Sequence, residues 1–262
     1  MISKQNENRI RAALAEIAAA LEDDTGAAAT PAPTPEGQRV FPDDYFVDYG
    51  AFYDFLRTKK MFGPTLEDDE WKGCEAIIRA FALHGSPISH CAYGLATPYL
   101  ETKFTMQPVK EAFWLSDSAA NRYFHKMYDI QGSRPSKARE LGNLSPGDGT
   151  KYAGRGYVQL TGKRNYRVLT ERLRAAGHNV DLVNRPDEAM KPNIAALIMV
   201  IGMTEGLFTT RKLSDDLPSQ GPATFEQFEA SRDIINGRDR DDEIARFAID
   251  FQTALLRAGY KA

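Results

Sequence analysis

Apolar residues recur at helical spacing along most of this chain, and nowhere do they alternate strictly for more than a few residues. That pattern admits a helical domain and leaves little room for a sheet. Near the front, Ile10, Ala13, Leu14, Ile17 and Leu21 share one helical face. Asp23 to Gly37 then turns to Ala, Thr, Pro and Gly, with prolines at 31, 33 and 35. A segment of that composition cannot build a core and reads as a semi-extended linker. The expected organisation is an N-terminal helix over 1–22, a linker over 23–39 and a main domain over 40–262.

Within that domain, Thr65 is a candidate cap for a helix burying Trp71, Cys74, Ile77, Ile78 and Phe81 and closing at Gly85. Pro87 suits the first turn of the next helix, which turns Ile88, Cys91, Ala92, Leu95, Ala96 and Tyr99 inward. Pro98 predicts a kink or an early end there. Gln131 to Gly156 is rich in Gly, Pro, Asn and Asp and reads as one long loop, a feature that in a compact domain usually carries function or is disordered. Helical patterns resume over 164–175, 193–204, 225–235 and 241–258. The fold class is all-α, with long irregular loops.

Composition removes several function classes. The net charge is -3, and Lys and Arg are scattered, so no basic stripe marks a nucleic-acid partner. No apolar run reaches the ~20 residues of a membrane span, and the polar first residues carry no signal-peptide core. The four histidines lack ligand spacing and the two cysteines form no C-x-x-C pair, so neither a metal nor another cofactor is expected. Cys74 and Cys91 lie among apolar residues and read as buried free thiols, with a disulfide as the alternative.

Two constellations carry candidate chemistry. Glu101 ends an apolar helical face, where partial burial would favour a protonated carboxyl suited to general acid catalysis. Glu111 follows ten residues later, with Pro108 between them to turn the chain. Paired carboxylates of this kind serve glycoside hydrolysis. The run from Tyr152 to Tyr166 adds Gly154 and Gly156, which permit close backbone approach or positive φ, and Gln159, Thr161 and Asn165, which suit sugar hydroxyls and N-acetyl groups. It lacks the third glycine and the preceding strand of a dinucleotide-binding fingerprint.

The run Gly154-Arg155-Gly156-Tyr157-Val158-Gln159-Leu160-Thr161-Gly162, closing on Asn165-Tyr166, resembles the core signature of glycoside hydrolase family 19, which holds chitinases and many bacteriophage endolysins. Leu141-Gly142-Asn143 and Pro146-Gly147-Asp148-Gly149 are similar to its bacterial and phage branch, as are Ala96-Thr97, Thr105 to Pro108, Gly202 to Thr209, and Ile235-Asn236-Gly237. The likeness covers residues 42–258. It implies two mostly helical lobes around a substrate cleft, with Glu101 as general acid, Glu111 as the base that activates water, and Thr161 helping to hold that water. It further implies that Gln159, Asn165 and Asn236 contact sugar, and Tyr152, heading the run, joins them as a candidate substrate contact. Three positions depart from the pattern. Leu100 replaces a common His before the acid, Lys110 stands where relatives often carry an acidic residue, and Leu207 replaces a frequent aromatic.

The resemblance implies an endolysin-type hydrolase of peptidoglycan glycan strands. Such a protein would be made without a signal peptide in a bacterial host cytoplasm and would reach the wall through a holin-type release partner. Chitin hydrolysis, a non-catalytic glycan-binding or structural role, and a single-glutamate transglycosylase are the alternatives. Should Glu111 lie away from the cleft, Asp148 is the next candidate base.

Overall fold

A computed structural model describes residues 47–63, 66–235 and 240–261. The expected N-terminal helix and linker, the Thr65 cap and Asn236 lie outside the described residues. Eleven α-helices and two strands of two residues each follow one another among those described. The all-α expectation therefore holds.

The first helices form because polar caps frame apolar faces. In α1 (Tyr49–Thr58) the Asp48 carboxylate accepts from the Ala51 N–H at 3.0 Å. In α2 (Asp68–Leu83) the Glu70 carboxylate accepts from the Glu67 N–H at 2.9 Å, a donor the helix itself cannot satisfy. The face with Cys74, Ile77, Ile78 and Phe81 is buried, and Gly85 closes the helix with φ +67°. Cys74 and Cys91 are buried free thiols, pushed up by burial.

Helix α3 (Ile88–Glu101) does not end early at Pro98 but runs through it to Glu101. Proline at that position removes one helical N–H, a cost of about 3 kcal/mol. Every residue from Ile88 to Leu100 is buried, so packing offsets that cost. Gly94 lets the Phe81 ring lie directly against the helix, where a Cβ would stand 2.2 Å from a ring carbon.

The remaining helices are α4 (Asp117–Tyr128), α5 (Pro135–Glu140), α6 (Asp148–Lys151), α7 (Lys163–Ala175), α8 (Pro192–Glu205), α9 (Leu213–Asp216), α10 (Phe225–Ala230) and α11 (Asp241–Arg257). The pattern over 225–235 divides into α10 and a 3₁₀ turn, Ser231–Ile234. The large core gathers α1 to α3 with α7, α8, α10 and α11, and α11 lies against α1, α3 and α10. A second, small apolar cluster of Ala112, Ala120, Phe124 and Ala153 supports a lesser lobe around α4 to α6.

The expected long loop over 131–156 is more ordered than its composition suggests, since it holds α5 and α6. Buried polar side chains do the organising. Asn143 donates to the Tyr128 carbonyl at 3.0 Å and accepts from the Lys163 N–H at 2.9 Å. Asp129 accepts from the N–H groups of Gln131, Gly147 and Gly149 at 3.1, 2.7 and 3.3 Å. Burial alone would raise the Asp129 carboxyl, but these donors, with His125, hold it below the usual range.

A depressed folded-state value stabilises the fold above the unfolded value, about 3.9, and the contribution is lost as pH falls through the folded one. Asp129→Asn is expected to cost about 1.5–3 kcal/mol near pH 7, the worth of hydrogen bonds to a charged group. Denaturant unfolding of both proteins from pH 7 to 3 should show that gap narrowing below pH ~4. A gap independent of pH would mean that the charge contributes nothing.

Candidate active site

Glu101 is the last residue of α3, and its side chain keeps 30% of its surface exposed. Its surroundings differ from the apolar setting expected. Oε1 accepts from Arg232 Nη2 at 3.0 Å, and that guanidinium is almost wholly buried. The 3₁₀ turn carrying Arg232 is anchored from both sides. The Tyr93 hydroxyl on α3 donates to the Ser231 carbonyl at 2.7 Å, and Thr209 Oγ1 donates to the Asp233 carbonyl at 2.7 Å. Burial keeps the Tyr93 hydroxyl protonated, pushing it up despite the opposing charge of Arg232. Leu100, where a hydrogen-bonding His was noted as common, is buried in the core. The Glu101 carboxylate is supported by Arg232 instead.

Glu111 follows strand β1 (Val109–Lys110), which pairs antiparallel with β2 (Arg155–Gly156). Its backbone N–H donates to the Gly154 carbonyl at 2.8 Å. Its side chain is held by two donors, the Tyr128 hydroxyl at 2.7 Å on Oε1 and the Gly154 N–H at 3.2 Å on Oε2. Burial and the neighbouring carboxylate push the Tyr128 hydroxyl well above the tyrosine range, so it remains a donor. Lys110 pairs with Arg155 in the strand register.

The glycine-rich run folds back on itself through paired backbone hydrogen bonds between Arg155 and Leu160. Gly156 has φ +84°, and Gln159 adopts φ +51°, an uncommon conformation for a residue with a Cβ. A Cβ on Gly154 would stand 2.9 Å from Glu111 Oε2, 2.9 Å from Gln159 Oε1 and 3.1 Å from Thr161 Oγ1. Those three oxygens therefore lie within about 6 Å of one another. Bare backbone at Gly154 is what lets them converge.

Each amide has a partly structural duty. Gln159 Nε2 donates to the Val109 carbonyl at 2.8 Å, so its oxygen is the end turned to the cluster. Asn165 donates to the Thr161 carbonyl at 2.8 Å and lines a cavity of about 270 Å³ with Leu160, Leu207 and Phe208. Thr161 Oγ1 donates to the Gln159 carbonyl at 2.8 Å, which leaves its lone pairs as acceptors.

Two expectations are corrected. Tyr152 is 1% exposed and its hydroxyl donates to the Val183 carbonyl, so it supports the run from beneath and does not reach a substrate. Asp148, the alternative base, is buried and occupied by the Leu144 and Ser145 N–H groups and by Lys163. It caps the loop.

No family model matches the sequence, and no curated protein matches it. Among solved structures, chitinase C from Streptomyces griseus HUT6037 is similar over 84% of this chain and 79% of that one. Identity is 16% and the TM-score is 0.49. Likeness of that degree decides nothing about chemistry, which rests on the side chains.

For three supporting side chains nothing in the sequence indicated their partners. Arg232 and Tyr128 each orient one of the two glutamates. Arg155 is buried and joins the run to Tyr166 on α7 and to Asp187, at 3.1 and 2.8 Å. Its place between two glycines flagged a motif without indicating its partners.

The cluster yields a sharp expectation for Gly154→Ala. The new methyl would meet only the ends of side chains, which can swing aside, so stability should change by about 1 kcal/mol or less. Glu111, Gln159 and Thr161 would all be displaced. A shift near 1 Å in a catalytic constellation costs on the order of 10²-fold in rate. Unfolding curves and turnover measured together should therefore separate, and a variant with unchanged turnover would disconnect the cluster from catalysis.

Proposed function

We propose that this chain is a chitinase-like glycoside hydrolase that cleaves β-1,4 glycosidic bonds of peptidoglycan by acid and base catalysis. The observation that carries the reading is the convergence of Glu111, Gln159 and Thr161 on Gly154. A second glutamate, Glu101, is held by a buried arginine.

Glu101 is the proposed acid. Arg232 donates to Oε1, so a proton on the other oxygen is the one available to the leaving group. Glu111 is the proposed base. Two donors orient its carboxylate, and it has Thr161 Oγ1 nearby as a second acceptor for one water. Water polarised in this way attacks the anomeric carbon as Glu101 protonates the departing oxygen, an inverting displacement. Gln159 Oε1, close to Glu111 Oε2 and Thr161 Oγ1, suits an N–H or hydroxyl of the sugar, while the Asn165 amide lines the cavity with Leu207 and Phe208.

Peptidoglycan is preferred over chitin because of the loop signatures Leu141-Gly142-Asn143 and Pro146 to Gly149, which resemble the bacterial and phage branch. In this reading the protein acts on the wall after release from a host cytoplasm by a partner that permeabilises the inner membrane. Among the described residues no helix is long and apolar enough to cross a membrane.

Incubation of the purified protein with peptidoglycan and with chitin oligomers, followed by mass analysis, tests the proposal. Glycan fragments with new reducing ends from peptidoglycan are expected. Products from chitin alone would move the substrate, 1,6-anhydro ends would indicate a transglycosylase, and no products from either would leave a binding protein.

A further inference from the structure

The chain immediately past each glutamate meets in one exposed patch. Phe113 and Trp114, two and three residues after Glu111, are 56% and 68% exposed, and their rings pack edge to face at 5.3 Å. Lys103, two residues after Glu101, places its ammonium 5.8 Å from the Phe113 ring centre and 6.0 Å from that of Trp114. Large aromatics are ordinarily among the most valuable groups to bury. Here Ala112 is buried with φ +57°, and the Leu115 N–H donates to its carbonyl, so a tight turn holds the two rings outward. The rings are displayed two and three residues past Glu111 in the chain.

We infer that Phe113, Trp114 and Lys103 form a glycan subsite, in which a pyranose ring stacks on Trp114 and the ammonium receives a carboxylate of the strand. The inference rests on the glycosidase reading above. The C–H face of a pyranose is weakly positive and complements the negative face of an aromatic ring. A Lys held over two rings is already positioned and loses little freedom on binding an anion. A peptide-free N-acetylmuramic acid ends its lactyl group in such a carboxylate, a peptide-bearing one carries carboxylates on its stem peptide, and N-acetylglucosamine has neither. The subsite therefore selects the acidic strand over the neutral one.

The experiment uses the full chain in a Glu101→Gln background, so that ligand survives titration. Its probes are the N-acetylglucosamine hexamer and a peptide-free tetramer of alternating N-acetylglucosamine and N-acetylmuramic acid. The chain has two tryptophans, Trp71 and Trp114. Both probes should change tryptophan emission, and Trp114→Phe should remove the change while retaining most affinity in calorimetric titration, the readout used for every variant. Trp114→Ala should weaken both by roughly tenfold, the loss of one aromatic contact. Lys103→Gln should weaken the acidic tetramer alone. Unchanged titration in Trp114→Ala overturns the subsite, and equal loss for both probes in Lys103→Gln overturns its selectivity. In the Glu101 background of the native chain, Trp114→Ala should raise KM with kcat nearly retained. Hydrolysis indifferent to Trp114 would sink the subsite and leave the hydrolase. Trp114-dependent binding without hydrolysis would do the reverse.

Discussion

Under the proposed mechanism, Glu101→Gln is expected to lower peptidoglycan turnover by ~10²–10⁴-fold, the usual contribution of a general acid. Glutamine is nearly isosteric, and its carbonyl oxygen can still accept from Arg232, so the buried guanidinium keeps its partner. What disappears is the proton for the departing sugar oxygen, because an amide does not supply one at neutral pH. The thermal transition should stay close to that of the native chain, and reducing-end release should fall to near background. A folded variant retaining more than about a tenth of the activity would remove Glu101 from the acid's role. Arg232→Lys is a useful companion, since a lysine keeps the charge and loses the planar fork that fixes Oε1.

Much of the helical body was legible because its apolar residues obey one period. The faces of α2 and α3 were marked residue by residue, and α7, α8 and α11 begin and end within a residue of their patterns. Pro98 did not end the helix, because a local rule cannot register that α3 from Ile88 to Leu100 is buried around it. The loop over 131–156 misled for a related reason. Its order comes from Asp129 and Asn143, whose partners lie up to 20 residues away.

At the site, residue types were legible and supports were not. Glu101, Glu111, Gln159 and Thr161 stand out by chemistry and spacing. Arg232 reaches Glu101 across 131 residues of sequence, through a turn that only the packing of α3 brings near. Tyr128 was not singled out in the sequence; it ends α4, and its hydroxyl finds Glu111 only once β1 pairs with β2. Tyr152 erred in the opposite direction. Aromatic residues beside a motif can serve sugar or core, and only burial distinguishes the two.

Glu111→Gln tests the other half of the mechanism. Its amide would keep an oxygen for the Tyr128 hydroxyl, but the end facing the Gly154 N–H would then carry donors, so one of the two orienting contacts is lost. Water activation requires an acceptor at Oε2, beside Thr161 Oγ1. Turnover should therefore fall by ~10²–10⁴-fold while glycan binding, measured in titrations with the N-acetylglucosamine hexamer, changes little. The stereochemistry of the native reaction gives an independent check. Attack by water on the face opposite the leaving group converts a β-linkage to an α-anomer, and proton NMR in the first minutes can read it before mutarotation. A β-anomer as first product would exclude single-step inversion. It would require a nucleophile or a substrate-assisted route, in which the N-acetyl group takes over the task assigned to Glu111. Retained activity in Glu111→Gln together with a β-anomer would make Gln159 Oε1 and Thr161 Oγ1 supports for that N-acetyl group, and the water would enter from another side.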